Sequence, residues 1–318
     1  MAVIQFSKVS PDRKVSSALS VKNVLFPTDF SPTSEAALPY ATAICRRFGS
    51  TLHMVHVLSD AGLLMMTGGV DYVSMGTIYE DAQNEAKQKL DGISARFESI
   101  PHRNYVRHGS VWKNLADIVE ANSIDLIVLS THGRTGLGKL LLGSVAEDIL
   151  RHAPCPVLTV GPQVSGRAKL PASPDHGSNL APVELEIRQV LFATNFASSA
   201  VRLAQEAAWL AEEFHARLTL MHVIEEYSRL GSKPEPIEEN LQRLRQLIPK
   251  QAELQYIPEM LLEFGDAPEQ ILKAAEERET DLILLGARRS SEVGTTHLPS
   301  AAQHVIAHAH CPVLTIRE

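Results

Sequence analysis

The sequence predicts two tandem α/β domains, each a Rossmann-like layer of about five parallel strands with helices on both faces. Three observations carry this. First, the chain repeats itself: residues 125–160 (DLIVLSTHGRTGLGKLLLGSVAEDILRHAPCPVLTV) align without gaps on residues 281–316 (DLILLGARRSSEVGTTHLPSAAQHVIAHAHCPVLTI), with 15 of 36 positions identical at an offset of 156. Second, the strand-like segments are short apolar runs without alternation, the mark of strands covered on both faces. Third, these runs alternate with helical patterns, which calls for right-handed βαβ units and a doubly wound sheet.

The elements follow in order. Val24–Pro27 is the first strand; Ser31 then supplies a helix N-cap ahead of Pro32 at the first helical position. One helix is expected from there to about Phe48, then a strand over Leu52–Val57 and a long helix over about Ile78–Phe97. Arg103–Arg107 is a weak third strand, Gly109 turns into a helix over Val111–Glu120, and Asp125–Leu129 is a strongly apolar fourth strand. A helix over Val145–His152 and a strand over Val157–Val160 close the first copy. The second copy starts alike: IRQVLFATNF (187–196) answers VKNVLFPTDF (21–30), and LTLMHV (218–223) answers LHMVHV (52–57), at an offset of 166. The first copy therefore carries ten extra residues in its middle, near GLLMMTGGVDYVSMG (62–76). The domains expected are a tail at 1–20, a first domain at 21–162, a Pro- and Gly-rich linker at 163–186 and a second domain at 187–318.

Composition excludes several functions. The 318 residues include 44% hydrophobic and 21% charged, a globular mix. The formal net charge is −7 with only 5% aromatic residues, which argues against nucleic acid as a partner. No apolar run approaches the ~20 residues needed to span a bilayer, so no membrane partner is expected. Three cysteines, Cys45, Cys155 and Cys311, do not form a disulfide framework, and the N-terminus lacks a signal-peptide core, so a reduced, cytoplasmic protein is expected.

In open α/β sheets ligands bind outside the carboxyl ends of the strands. Those ends carry Pro27-Thr28-Asp29, Val57 and Ser130-Thr131-His132-Gly133 in the first copy. The last of these runs through a glycine-bearing loop to Gly143-Ser144 at a helix start, where unpaired N–H groups and the helix dipole suit phosphate. Gly143 permits close backbone approach to an anion, and Asp29 is placed to accept hydrogen bonds from a ribose or an adenine amino group.

VLFPTDFS, the strand ending MVHV and STHGRTGLGKLLLGSVAEDILRHAPCPVLTV together resemble the universal stress protein family, over nearly the whole chain except tail and linker. The resemblance implies a tandem member whose domains have the adenine nucleotide alpha hydrolase-like fold. Its ATP-binding members carry Gly-x2-Gly-x9-Gly-Ser/Thr, which falls here on Ser130, Gly133, Gly143 and Ser144, with serine in place of the first glycine. By the same resemblance Pro27, Thr28, Asp29 and Val57 would line an adenosine pocket, Leu129 and Ser130 would lie by the ribose, and Gly133, Gly143, Ser144 and Val145 would hold the phosphates. The implied ligand is ATP, with or without Mg²⁺. The fifth strand in this family often pairs across a dimer. Val157–Val160 and Val313–Ile316 are therefore expected to pair antiparallel as an intramolecular pseudo-dimer, with further homodimerisation open.

The second copy departs at the decisive positions. Ala193, Asn195, Arg289 and Pro299 stand where the first has Pro27, Asp29, Gly133 and Gly143, and only Gly286, Ser300 and Val223 stay compatible. One nucleotide per chain, in the first domain, is the expectation. Competing local readings stand beside it. Ser144-Val-Ala-Glu147 and Ser300-Ala-Ala-Gln303 read as capping boxes, and Asp29 as a turn residue. Gly133-Arg-Thr-Gly-Leu-Gly138-Lys139 resembles a Walker A loop, but Leu140 stands where Ser or Thr should hold magnesium. Arg134 and Lys139 are either phosphate-facing charges or a solvated basic loop. His304, His308, His310 and Cys311 invite a zinc reading, against a structural one shared with His152 and Cys155. Leu63–Gly69 is a lid, an interface or a surface loop. Three functions follow: an ATP-binding stress-signalling module with unknown protein partners, a slow ATPase or autophosphorylating enzyme, or a pseudo-dimeric scaffold without nucleotide.

Overall fold

The structure is a computed structural model that describes residues 21–58, 72–97, 99–131, 142–164, 185–225, 237–287 and 300–317, with side chains excepted at 72–78 and 300. The first repeat runs β1 (Asn23–Pro27), α1 (Pro32–Glu35), α2 (Leu38–Phe48), β2 (Thr51–Leu58), α3 (Tyr72–Ser94), β3 (His102–His108), α4 (Val111–Ala121), β4 (Leu126–Ser130), α5 (Ser144–His152) and β5 (Val157–Val160). The second runs β6 (Gln189–Ala193), α6 (Ala200–Glu213), β7 (Arg217–Ile224), α7 (Ile237–Leu247), β8 (Glu259–Phe264), α8 (Ala267–Glu277), β9 (Leu282–Ala287), α9 (Ser300–His308) and β10 (Val313–Arg317).

The strands form one ten-stranded sheet in the order β3-β2-β1-β4-β5-β10-β9-β6-β7-β8. Within each repeat every pairing is parallel. The repeats join through the one antiparallel pair, β5 with β10, in the register Val157↔Thr315, Leu158↔Leu314, Thr159↔Val313. Leu158 and Leu314 are equivalent positions in the two repeats, so a local two-fold axis passes through their pairing. The junction covers two edges that would otherwise expose unpaired backbone groups, and the Thr159 hydroxyl adds a 3.0 Å hydrogen bond to the Val313 carbonyl. On the same axis Phe48 and Phe214, also equivalent, meet edge to face at 6.3 Å; Phe48 stacks on Trp209 at 5.6 Å. Arg47 pairs with Glu213 at 3.1 Å, but both are well exposed, so that bridge adds less than about 1 kcal/mol.

Alternation along the strands splits the core between the two sheet faces. Val24 and Phe26 pack on the face covered by α2 and α6, while Leu25 packs on the face covered by α4, α5 and α9. Both cores draw on both repeats, so the halves are not independently packed bodies.

The expected single helix over Pro32–Phe48 is two. Ser31 caps α1 as anticipated, accepting from the Ser34 N–H at 3.1 Å, but the chain restarts at Leu38. Pro39 has no N–H to return to the Glu35 carbonyl, so the helical ladder cannot run through. The second repeat has Gln205 at this position, and α6 runs unbroken over Ala200–Glu213. The long helix α3 begins at Tyr72 rather than at the expected Ile78, so part of the segment unique to the first repeat is helical. Gly109 and its equivalent Gly265 hold φ of 94° and 124°, a left-handed turn open to glycine, after β3 and β8.

Each repeat anchors the start of its first strand in the same way. The Asp125 carboxylate accepts the N–H groups of Lys22 and Asn23 at 2.8 and 2.9 Å. Asp281 accepts those of Arg188 and Gln189 at 2.8 and 3.0 Å. The shared Asp-Leu-Ile therefore joins two strand beginnings through one carboxylate.

Candidate functional site

The strand order reverses direction between β1 and β4, so the crevice outside their carboxyl ends is the switch point at which α/β sheets bind ligands. Pro27, Thr28 and Asp29 leave β1 there, Val57 lies near the end of neighbouring β2, and Leu129 and Ser130 end β4. Gly143, Ser144 and Val145 begin α5 beside them. The fold thus brings together every expected site residue it describes; Gly133 lies outside the described residues, as do His132, Arg134, Lys139 and the Leu63–Gly69 segment.

Backbone turns fix the β1 end. Thr28 continues the ladder with its N–H on the Val55 carbonyl at 2.9 Å. Its hydroxyl accepts the Phe30 N–H at 3.0 Å, and Phe30 sits at φ 61°, a conformation bulky residues rarely adopt. Asp29 Oδ1 accepts from the Ser31 N–H at 3.0 Å and from the Ser31 hydroxyl at 2.6 Å. The His56 Nδ1–H donates to the Thr28 carbonyl at 2.7 Å, and its ring lies 4.4 Å from that of Phe30. The second repeat reproduces this with other residues. Thr194 accepts the Phe196 N–H at 3.0 Å, Asn195 accepts the Ala197 N–H at 3.1 Å, and Phe196 holds φ 57°. His222 donates to the Thr194 carbonyl at 2.8 Å and lies 4.4 Å from Phe196. A cation lies over each phenylalanine, Lys89 at 5.5 Å in the first repeat and Arg243 at 3.9 Å in the second. Asparagine reproduces the N–H part of the Asp29 turn, while the Ser31 hydroxyl bond has no counterpart because alanine stands at 197. The Thr-Asx-Phe triplet common to both copies was the legible signal for this strained corner.

Burial sorts the remaining residues. Thr28 and Leu129 are 6% and 3% exposed, so they are built into the fold and can offer a ligand little beyond their backbone. Val57 and Ser130 are half-buried and Ser144 is exposed, as is Val145 at 41%. Thr131 carries β4 into the loop: its N–H donates to the Val160 carbonyl at 3.2 Å, and its own carbonyl accepts the Gly143 N–H at 2.9 Å.

The expected capping box at Ser144 does not form. Gly143 is the N-cap of α5 and Ser144 its first residue, so the serine sits one place too late to cap. Glu147 instead pairs with Arg151 one turn on, at 2.6 Å. The first N–H groups of α5 are thus left without a side chain from the N-cap, at the positive end of the helix dipole. Ser300 is likewise the first residue of α9.

The other candidates resolve structurally. His308 donates to the His304 carbonyl at 2.8 Å with the two rings stacked at 4.2 Å, and no group of three or more His, Cys, Asp or Glu that could hold a metal occurs among the described residues. Burial pushes the Cys45 and Cys155 thiols up to about 12, so neither is a thiolate nucleophile. No helix among the described residues is long and apolar enough to cross a membrane.

Sequence reasoning missed a cavity in the second repeat, of about 570 Å³, at the equivalent switch point between β6 and β9. The substitutions there pointed to a lost site; the space itself is set by strand ends and helix starts that both repeats share.

Fold and crevice define a tandem α/β protein of the doubly wound kind, with a ligand-type switch point in each half. The chain belongs to the universal stress protein family, whose model matches residues 20–161 and 186–317. Universal stress protein MJ0577 of Methanocaldococcus jannaschii is 29% identical over 153 residues, spanning 44% of this chain and 94% of that one. Universal stress protein A homolog 1 of Coxiella burnetii is 32% identical over 140 residues, 44% of this chain and 95% of its own. A solved universal stress protein from Archaeoglobus fulgidus DSM 4304 matches 94% of this chain and 97% of its own with a TM-score of 0.69 at 19% identity, a likeness of fold across both repeats.

Proposed function

We propose that the first repeat binds ATP at the β1/β4 switch point, and that the protein is a cytoplasmic stress-response module whose nucleotide occupancy governs its association with protein partners. The observation that carries this reading is the start of α5: a glycine N-cap, with no capping side chain, set beside the end of β4 and across from the Asp29 turn. The first N–H groups of α5, which no N-cap side chain takes, suit phosphate oxygens. Pro27, Thr28, Asp29 and Val57 would then form the adenosine wall, Leu129 and Ser130 would meet the ribose, and Gly133, Gly143, Ser144 and Val145 would hold the phosphates. Asp29 leaves the end of β1 at the same crevice, its Oδ1 held by the Ser31 N–H and hydroxyl. Any Mg²⁺ would arrive on the nucleotide's own phosphates.

Calorimetric titration of ATP into nucleotide-stripped protein tests this. The expected result is about one ATP per chain, weakened in Asp29→Asn. No heat and no thermal stabilisation would overturn the reading and leave the joined pseudo-dimer as a scaffold.

A further inference from the structure

The ten-stranded sheet ends on β3 and β8, each paired on one side only among the described residues. At β3 the Leu52 N–H goes to the Pro101 carbonyl and the Gly109 N–H to the Leu58 carbonyl, so the parallel ladder takes the backbone groups of Arg103, Tyr105 and Arg107. Those of His102, Asn104 and Val106 point outward. At β8 the Gly265 N–H goes to the Ile224 carbonyl, and the same alternation leaves Met260, Leu262 and Phe264 pointing outward. Such edges are templates for another strand.

The side chains on the two edges are opposite in charge. β3 carries Arg103 and Arg107; β8 carries Glu259 and Glu263. Among the described residues neither arginine pairs with a carboxylate: Arg103 reaches the Asn122 side chain and Arg107 the Val106 carbonyl, each at 3.3 Å. Arg278 holds Glu259 by hydrogen bonds of 2.8 and 3.0 Å, and Glu263 lies in the field of the same guanidinium.

One register joins these groups. With the two strands antiparallel and Tyr105 opposite Leu261, the outward backbone groups of Val106 and Asn104 meet those of Met260 and Leu262. Arg103 then stands opposite Glu263, and Arg107 opposite Glu259. The faces match as well, since Val106 and Met260 pack on one core and Tyr105 and Leu261 on the other. A shift of two residues either way loses both charge pairs. Each edge, by contrast, opposes itself. β3 against its own copy, fully overlapped, sets Arg103 opposite Arg107 twice, and β8 sets Glu259 opposite Glu263 twice; like charges directly opposite are destabilising. Edge charges ordinarily prevent pairing; these prevent pairing of like edges and leave the unlike edge as partner. Apolar exposure points the same way. Of the six large apolar side chains exposed among the described residues, Tyr256, Ile257 and Phe264 lie on β8 or just before it, Ile257 being 97% exposed.

We propose that copies of this chain join edge to edge, β3 of one against β8 of the next, antiparallel in this register. The contact is between unlike surfaces, so each addition leaves one edge of each kind open, and assembly continues past two copies into rings or filaments.

Sedimentation velocity of the full-length chain over a wide concentration range, at low and high salt, tests this. The native protein should associate beyond dimers as concentration rises, and less so at high salt, which screens exposed pairs. Arg103→Glu and Glu263→Arg should each weaken association about tenfold, because each sets like charges opposite one another. An equimolar mixture of the two variants should restore it, because the β3 of one then meets the β8 of the other with opposite charges. Leu262→Pro removes an outward N–H, leaves the ladder to β7 intact and should abolish association. Circular dichroism melts check that each variant folds; if Leu262→Pro does not, the two charge reversals carry the test. A native chain that stays monomeric throughout or stops at a dimer would overturn the proposal. So would association indifferent to both reversals, or a mixture no stronger than its components.

Discussion

The Gly143 N–H donates to the Thr131 carbonyl at 2.9 Å, and a Cβ on Gly143 would lie 3.2 Å from that same oxygen. Glycine is thus held here by packing of backbone on backbone, before any ligand enters. Gly143→Pro removes the donor and crowds the acceptor. It should lower unfolding free energy by about 1–3 kcal/mol in a denaturant titration, with Gly143→Ala costing less. Loss of ATP binding in Gly143→Pro alone therefore does not separate a missing phosphate contact from a displaced loop. A variant as stable as the native protein would show that the hydrogen bond contributes nothing.

Asp29→Asn makes the cleaner change, because Asn195 already holds the equivalent turn. Stability should move by no more than about 0.5 kcal/mol, while ATP affinity falls by about tenfold or more through loss of a charge-assisted hydrogen bond. A melting temperature that dropped with unchanged affinity would assign Asp29 to the turn alone.

Asp281→Ala should be among the more damaging single changes in the second repeat. It orphans two N–H groups at the start of β6, at a cost of about 2–4 kcal/mol. Asp125→Ala should act alike on β1. Denaturant midpoints of the two variants check this, and Asp281→Asn should recover part of the loss.

Glu206 is 3% exposed on α6, with Oε2 lacking a partner among the described residues. Burial raises its pKa to about 7, only partly offset by Arg202. A folded-state pKa above the unfolded one means that the folded protein binds the extra proton between the two values. The stabilisation is complete below the ordinary carboxylate range and is lost as pH rises to about 7. Glu206→Gln should therefore be more stable than the native chain at pH 8, by about 3 kcal/mol, and nearly equal to it at pH 4. Thermal melts across that range check it; a constant difference would show that the carboxyl does not titrate in the fold.

Much of the fold was legible because its causes are local. Apolar runs such as Leu126–Leu129 mark doubly covered strands wherever they occur, Ser31 before Pro32 marks a helix start, and Gly109 and Gly265 mark turns that need positive φ. The break at Pro39 is equally local, but the apolar face running across it hides it from periodicity. Ser144 was harder: a serine three residues before an acid matches a capping box, and only the loop's path shows that Gly143 takes the cap.

The repeat at a constant offset determined by itself that the chain holds two similar α/β units, and the departures at Ala193, Asn195, Arg289 and Pro299 determined that the two differ in residue type at equivalent strand ends and loops. Tertiary structure alone decided three things. It fixed the register of the expected β5–β10 junction, Leu158 against Leu314, seated Gly143 on the Thr131 carbonyl, and kept a cavity open beside Ser199. Each depends on groups far apart in the chain meeting at a few ångströms. Composition and periodicity record which face of an element is apolar, but not which distant atom will stand opposite it.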